Sequence, residues 1–80
     1  MKSACLIQDT RWVDLKNLIA TREGGSCITA DLADQNISLN IGNASLVVDG
    51  EEFGGNVVCH TESQVIFESD RFEEIAKKLS

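Results

Sequence analysis

Apolar residues alternate with polar ones through the middle of this chain, and that two-residue period restricts the region to β-strands. The alternation runs through residues 27–32 and 37–41, and shorter apolar runs follow at 44–48, 57–60 and 64–68. Successive side chains of a strand point to opposite faces of a sheet, so each run predicts a strand with one buried face. The sequence therefore predicts five strands after residue 26.

The N-terminal third of the chain carries a different pattern. Residues 2–8 predict a short strand with apolar side chains on both faces. Asp9-Thr10 then provides an N-cap, and Gly24-Gly25 offers a left-handed C-cap. Four large apolar residues between these caps share one helical stripe: Trp12, Leu15, Leu18 and Ile19. We therefore predict an amphipathic helix whose tryptophan is half-buried against the core; an exposed tryptophan would instead mark a contact with another protein.

Short polar and glycine pairs mark the connections between the predicted strands. These pairs are Gly42-Asn43, Asp49-Gly50 and Gly54-Gly55. The first two are two-residue hairpin signals, the second being the stronger, and the third predicts a break or a bulge. Because such short turns keep sequential strands side by side, we expect a mainly antiparallel sheet.

The C-terminus predicts a second helix. Asp70 and Glu73 form a start that resembles a capping box. The apolar residues that follow the i, i+3, i+4, i+7 spacing are Phe72, Ile75, Ala76 and Leu79. We expect this stripe to pack on the sheet.

The chain is therefore predicted to be a single α+β domain over residues 1–80, with elements in the order β-α-β-β-β-β-β-α. Two amphipathic helices would cover one face of a mainly antiparallel sheet of five to six short strands. The sequence has no proline, repeat or low-complexity segment that would mark a linker. Because no Lys or Pro guards the strands after residue 26, we also expect a homodimer formed by pairing of sheet edges.

The charges are segregated along the chain. Nine carboxylates and no Lys or Arg lie between residues 23 and 70, and the net charge is −6. A negative surface repels nucleic acid and anionic lipid and attracts basic proteins. We therefore expect a basic protein partner, and no direct binding to nucleic acid or to a membrane. The predicted partner-binding residues are Asp49, Glu51 and Glu52 at a hairpin tip, together with Asp31 and Asp34.

Few residues could carry chemistry. Cys59 and His60 are adjacent, but neighbours on a strand point to opposite faces and cannot form a thiolate–imidazole pair. One histidine, no CxxC and no phosphate-binding glycine motif predict no metal site and no cofactor. The three cysteines, odd in number and widely spaced, are expected to be reduced and mostly buried, in a cytoplasmic protein.

These features favour a small acidic protein-interaction module that is not an enzyme. It would act as an adaptor, inhibitor or immunity-type accessory protein and bind a protein partner or a second copy of itself. One alternative is a mimic of the nucleic-acid backbone that inhibits a basic DNA- or RNA-binding enzyme. A second alternative is a small thiol-dependent enzyme that uses Cys59 or Cys27 with His60.

Overall fold

A computed structural model describes residues 4–34 and 37–80 and contains six strands and one helix in that part of the chain. The elements are β1 (Ala4–Gln8), β2 (Arg11–Thr21), β3 (Cys27–Leu32), β4 (Gly42–Val48), β5 (Glu51–His60), β6 (Gln64–Glu68) and α1 (Phe72–Leu79). The first predicted strand is confirmed from Ala4 onward, and its first two predicted residues lie outside the described residues.

The six strands close into one antiparallel barrel. Around the barrel the order is β1, β2, β3, β6, β5 and β4, and β4 pairs with β1 to complete the circle. All six pairs of neighbours are antiparallel, which confirms the predicted antiparallel pairing. The predicted α+β fold, with two helices on one face of an open sheet, is wrong, because a single short helix accompanies the closed barrel.

Barrel closure removes the sheet edges on which the proposed route to a homodimer depended. Each strand has a neighbour on both sides. A closed barrel offers no free edge for a second copy to extend. Self-association stays a prediction, but it would have to use side chains on the outer surface.

The predicted first helix is instead the long strand β2. Asp9 and Thr10 have φ angles of 51° and 68° and turn the chain from β1 into β2 as a tight hairpin. Asn17, with φ of 54°, lies in a bulge that shifts the register between Lys16 and Ile19. The extra residue puts Leu15 and Leu18, three positions apart, on the same inner side of the strand, a spacing that also fits one turn of a helix. The core-facing side chains of β2 are Val13, Leu15, Leu18 and Ala20, whereas Trp12 and Ile19 of the predicted stripe are exposed.

The predicted strand over residues 37–41 is a connection without regular structure. Its Leu39 is buried in the core, next to the end of β1. The buried side chain of Gln8 holds this connection, since its Oε1 accepts a hydrogen bond from the Asn40 N–H at 2.9 Å and its Nε2 donates to the Asn40 carbonyl. A side-chain amide thus satisfies backbone groups that a strand would pair with a neighbour. Gly42 begins β4, so the hairpin predicted at this glycine is wrong.

Aliphatic and aromatic side chains fill the interior of the barrel. Inward and outward residues alternate along β1, β3 and β4, as the two-residue period predicted for β3. Full burial of one such side chain stabilises a fold by about 1.5–3 kcal/mol. The largest fully buried side chains are Phe53, Phe67, Leu6, Ile28, Leu32, Leu46 and Ile75.

Helix α1 packs its predicted apolar stripe against the core. Phe72 and Ile75 are buried, and Ala76 and Leu79 are partly buried against them. The capping box predicted at Asp70 is wrong, because the helix begins after Arg71 with no side-chain cap. Glu73, the glutamate of the predicted capping box, instead pairs with Arg22.

Arg71 fastens the start of α1 to β5. Its guanidinium pairs with Glu51 at 2.9 Å and lies 4.4 Å from the centre of the Phe53 ring. It also donates a hydrogen bond to Glu74, and this bond lowers the pKa of the Glu74 carboxyl. Both partners are exposed, so these pairs orient the helix more than they stabilise it.

Arg22, just after β2, holds the other side of the helix. Its guanidinium pairs with Glu73 and lies 5.0 Å from the centre of the Phe72 ring. The charge of Glu73 therefore faces a strand end rather than the helix N-terminus. The two arginines attach α1 to β2 and β5 at once.

Two glycine sites have different demands on the backbone. The Asp49-Gly50 hairpin is confirmed, with φ of 50° and 87° at the two turn residues. Gly54 and Gly55, predicted to break a strand, lie inside the continuous β5. A Cβ on Gly55 would lie 2.2 Å from the Glu68 carbonyl oxygen, whereas a Cβ on Gly54 would enter open space. Only the second glycine of the pair is required by packing.

We predict that Gly55→Ala destabilises the protein by about 2–3 kcal/mol or more, because its methyl group overlaps the backbone of β6. Gly54→Ala is the matched control and should change the free energy of unfolding by less than about 0.5 kcal/mol. Urea unfolding of both variants measures the difference. Equal stability of the two variants would show that β5 does not approach β6 as described.

We predict that Phe72→Ala destabilises the protein by about 3–5 kcal/mol, since it removes a buried aromatic ring between α1 and the barrel. Thermal and urea unfolding measure the loss. An unchanged melting curve would mean that α1 is not packed on the core.

Candidate interaction surface

The acidic residues predicted at the β4–β5 hairpin have unlike surroundings. Asp49 is in the turn, and Glu52 is exposed on β5 opposite Val47. Glu51 pairs with Arg71 and also with Lys78, whose Nζ lies 3.2 Å from its Oε1. Bases that are distant in sequence therefore neutralise Glu51, which weakens its attraction for other cations.

Asp31 and Asp34 lie in a different part of the barrel. Asp31 is in β3, in register with Lys16 of β2 and Gln64 of β6, and its Oδ2 accepts a hydrogen bond from Asn17 at 3.0 Å. Asp34 follows β3 and is exposed. Because β6 separates β3 from β5, the five predicted residues form two groups rather than one site.

The candidate thiol and imidazole groups are not assembled into one site. Cys27 pairs with Glu68 at one end of β6, and His60 pairs with Val65 near the other end. These two positions on β6 are three residues apart along the strand, which is roughly 10 Å. The expectation of mostly buried thiols is wrong, because two are half-buried and one is exposed, in the order Cys5, Cys27 and Cys59.

Trp12 lies on the outer surface of the barrel, with 65% of its area exposed. It is directly opposite Ile7 of β1, which is opposite Ser45 of β4, and this serine is opposite Gly54 of β5. These residues form one outward row across four strands. The prediction of a half-buried core tryptophan is wrong, and of the two expectations only the exposed position agrees with the structure.

A second outward row lies beside the first. In it Cys5 and Val47 are central and half-buried, with Asp14 on β2 at one end and Glu52 on β5 at the other. The two rows together follow the curved outer wall of the barrel from β2 to β5, with apolar residues in the middle and a carboxylate at each end. We call this surface the Trp12 face; its residues are Trp12, Ile7, Ser45, Gly54, Asp14, Cys5, Val47 and Glu52.

The surroundings of Cys5 oppose ionisation of its thiol. Burial raises the pKa of this thiol, and the nearby negative charge of Asp14 raises it further. A thiol with a raised pKa is a poor nucleophile near neutral pH. Cys5 therefore acts as a small apolar group within the Trp12 face.

Gly54 also borders a polar depression of about 200 Å³ at the end of the first row. Its Ser69 hydroxyl donates a hydrogen bond to the Gly54 carbonyl at 2.8 Å and accepts one from the Arg71 N–H at 3.1 Å. These bonds fix the loop between β6 and α1. The lining residues are Gly54, Gly55, Asn56, Glu68, Ser69 and Asp70.

Other exposed apolar residues are separate from this face. Ile19, 62% exposed, lies with Leu18 and Leu79 in a shallow groove between β2 and the end of α1. Gly42 of β4 and Val57 of β5 form the last pair of their ladder; Ile41 directly precedes Gly42, Val58 directly follows Val57, and both are exposed. Among the described residues, Trp12 is the largest apolar side chain left open to solvent.

Sequence reasoning missed most of the Trp12 face, although one signal was present. Residues 4–7 are apolar at every position, which places Cys5 and Ile7 on the face opposite Leu6. A strand with apolar residues on both faces of a small protein indicates that its outer face is also covered or used in contacts. The contribution of Val47 required knowledge that β1 pairs with β4.

Comparisons with known proteins identify no relative, since no family model, curated protein or solved structure matches the chain. Within residues 4–34 and 37–80, no three His, Cys, Asp or Glu side chains are grouped to hold a metal ion. The helix in this part of the chain is too short and too polar to span a membrane. Functional inference therefore rests on the chain's own surface.

We predict that iodoacetamide alkylates Cys59 well before Cys5 at neutral pH, because one thiol is exposed and the other has a raised pKa. Asp14→Asn should lower the pKa of Cys5 and speed its alkylation without changing that of Cys59. Peptide mass spectrometry at timed intervals measures both rates. Faster labelling of Cys5 than of Cys59 in the unmodified protein would contradict the described surface.

We predict that Trp12→Ala changes the free energy of unfolding by less than about 1 kcal/mol, since most of this side chain is already in water. Urea unfolding measures the change. Because Trp12 is the chain's only tryptophan, its fluorescence in the unmodified protein should already show a solvent-exposed indole. A loss as large as that expected for Phe72→Ala would place the indole in the core.

Proposed function

We propose that this protein is a small non-catalytic interaction module that binds a protein partner through the Trp12 face. It would serve as an adaptor, an inhibitor or an immunity-type accessory protein. The observation that carries this proposal is the exposure of Trp12 on the outer surface of the barrel. The interior is already filled by other apolar side chains, so the indole does not belong to the core. Exposed tryptophans are costly in solubility and are enriched among residues that dominate binding energy.

The arrangement of the Trp12 face supports a protein as the partner. Ile7, Cys5 and Val47 form a half-buried apolar centre beside the indole, and Asp14 and Glu52 lie at its two ends. Protein interfaces commonly have such an apolar centre and a polar rim. A partner with an apolar patch bordered by basic residues would be complementary in both respects.

The two alternative functions have less support. A nucleic-acid mimic requires a continuous row of uncompensated carboxylates, but Glu51 is paired and the predicted acidic residues fall into two groups. A thiol enzyme that uses Cys27 with His60 would need these side chains in contact, but they pair with opposite ends of β6. The three free cysteines agree with a reducing compartment, and we propose the cytoplasm.

The test is affinity capture from the source cells with three forms of the protein: unmodified, Trp12→Ala and Ile19→Ala. The two variants each remove one large exposed apolar side chain, at distant places on the barrel. We expect a partner that the unmodified protein and Ile19→Ala retain and that Trp12→Ala loses. Calorimetry with the identified partner should then show at least tenfold weaker binding for Trp12→Ala, as for a residue that dominates an interface.

Two results would contradict the proposal. If Trp12→Ala retains the partner as well as the unmodified protein does, the Trp12 face does not bind the partner. If only Ile19→Ala loses the partner, the binding site is the groove beside α1. Light scattering after size-exclusion chromatography tests the case in which the partner is a second copy. A dimer that dissociates in Trp12→Ala but persists in Ile19→Ala would identify that partner.

A further inference from the structure

We infer that two copies of this protein associate weakly through the outer face of β2, with the two strands antiparallel and related by a two-fold axis. The outward side chains that meet are Trp12, Asp14, Lys16 and Ile19. This inference goes beyond the proposed function, because it concerns the free protein and needs no other partner. It gives the chain a route to a homodimer that requires no free sheet edge.

The first three of these side chains follow ordinary strand geometry. Trp12, Asp14 and Lys16 are exposed, and the residues between them, Val13 and Leu15, are buried in the core. Alternate residues of a strand lie on one face about 6.6 Å apart. All three groups are on a single strand, so the curvature of the barrel wall from strand to strand does not separate them.

The bulge in β2 places the fourth side chain at the same spacing. Ile19 lies three residues after Lys16, but their partners on β3, Thr29 and Asp31, are only two residues apart. Three residues of β2 therefore occupy the length of two, and Ile19 points outward at the next regular position. Without the extra residue it would share the inner face with Leu15. The four outward groups thus follow one another over about 20 Å.

The order of groups along this face is self-complementary: apolar, acidic, basic, apolar. Rotation about a two-fold axis midway between Asp14 and Lys16 places each carboxylate opposite the ammonium group of the other copy. The same rotation places each indole opposite Ile19 of the other copy. Such two-fold contacts, in which the same patch serves both subunits, are the commonest in soluble oligomers. A parallel arrangement in register would instead bring like charges together.

Both central charges are open to a second copy. Among the described residues, neither Asp14 nor Lys16 has an ion pair. Asp31 is the cross-strand neighbour of Lys16, but its carboxylate accepts a hydrogen bond from Asn17. The dimer would therefore supply the opposite charge that each group lacks within its own chain.

The surface beside Ile19 has room for an indole. β1 pairs with β2 only as far as Leu15, and α1 packs against β2 farther along. The shallow groove between β2 and the end of α1 has a volume of about 370 Å³. Trp12 and Ile19, which are 65% and 62% exposed, would each be covered twice in the symmetric dimer. The lining residues of the groove are Leu18, Ile19, Ala20, Ala76, Leu79 and Ser80.

The contact is small, which sets its strength. Four side chains from each copy bury less than the roughly 1,200 Å² of a standard stable interface. We expect a dissociation constant Kd on the order of 100 µM. The dilute protein is then monomeric, with an exposed indole that remains available to the partner of the proposed function.

Sedimentation equilibrium from about 10 µM to about 1 mM brackets this Kd and should show the mass doubling. Tryptophan emission should shift to shorter wavelength over the same range, as the second copy covers the indole. Trp12→Ala and Ile19→Ala should each weaken the dimer about tenfold or more. Val58→Ala is the matched control, because it removes an exposed apolar side chain on β5, three strands away from β2, and should leave Kd unchanged.

Charge reversal tests the antiparallel register. Asp14→Lys places a base opposite Lys16 of the other copy, and Lys16→Asp places an acid opposite Asp14, so each variant alone should dimerise about tenfold more weakly. An equimolar mixture of the two variants should form the dimer again, since every base then meets an acid. One chain that carries both changes should also dimerise. Urea unfolding confirms that each variant is folded.

The outcomes separate this inference from the proposed function. A monomer at about 1 mM, or a mixture of the two charge variants that does not dimerise, overturns the inference. The proposed function is judged by capture with Trp12→Ala and is untouched by that result. A dimer that persists in Ile19→Ala also overturns the antiparallel pairing. If the mixture dimerises and Trp12→Ala still captures the partner, the inference stands and the proposed function fails.

Discussion

Closure of the barrel depends on the close approach of β5 to the end of β6. Residues 51–57 of β5 pair with β4, and the pairing with β6 begins at Asn56, so Asn56 and Val57 have partners on both sides. Gly55 directly precedes this pairing, and there the Glu68 carbonyl occupies the space of a side chain. A residue with a Cβ at this position would push the two strands apart and weaken this side of the barrel.

The segregation of charge along the chain has a structural use. Two basic residues of the C-terminal end return to the acidic middle in the folded protein, where Arg71 and Lys78 meet Glu51. Arg22 meets Glu73 on the other side of α1. Exposed pairs of this kind contribute little stability, but several together orient a short helix whose buried surface is small.

This use of charge leaves the remaining carboxylates unevenly distributed over the outer surface. Asp14 and Glu52 border the apolar centre of the Trp12 face, and Glu68 and Asp70 line the depression at its end. Four acidic residues therefore lie beside the apolar residues of this face or at its end. Binding that uses both would be steered by charge and held by burial of the indole.

Local sequence determined the elements whose signals do not depend on distant partners. The strand β3, the Asp49-Gly50 hairpin and the apolar stripe of α1 follow from periodicity and turn chemistry that each segment carries alone. The net charge and its segregation along the chain were likewise readable from the sequence. The sequence identified the acidic residues but could not show that they form two separate groups, because their positions on the barrel depend on the strand order.

Tertiary structure decided the rest. The bulge at Asn17 gives Leu15 and Leu18 a spacing that fits either a helix or a strand. Only the pairing of this segment with β1 and β3 shows that it is a strand. Residues 37–41 do not pair as a strand. Instead the side chain of Gln8, which lies 32 residues before Asn40 in the sequence, hydrogen-bonds to the backbone of Asn40. The Trp12 face also requires the pairing of β1 with β4, because no local pattern brings Ile7 beside Ser45. Local periodicity specifies which side chains share a face, whereas barrel closure specifies which faces meet and which remain in water.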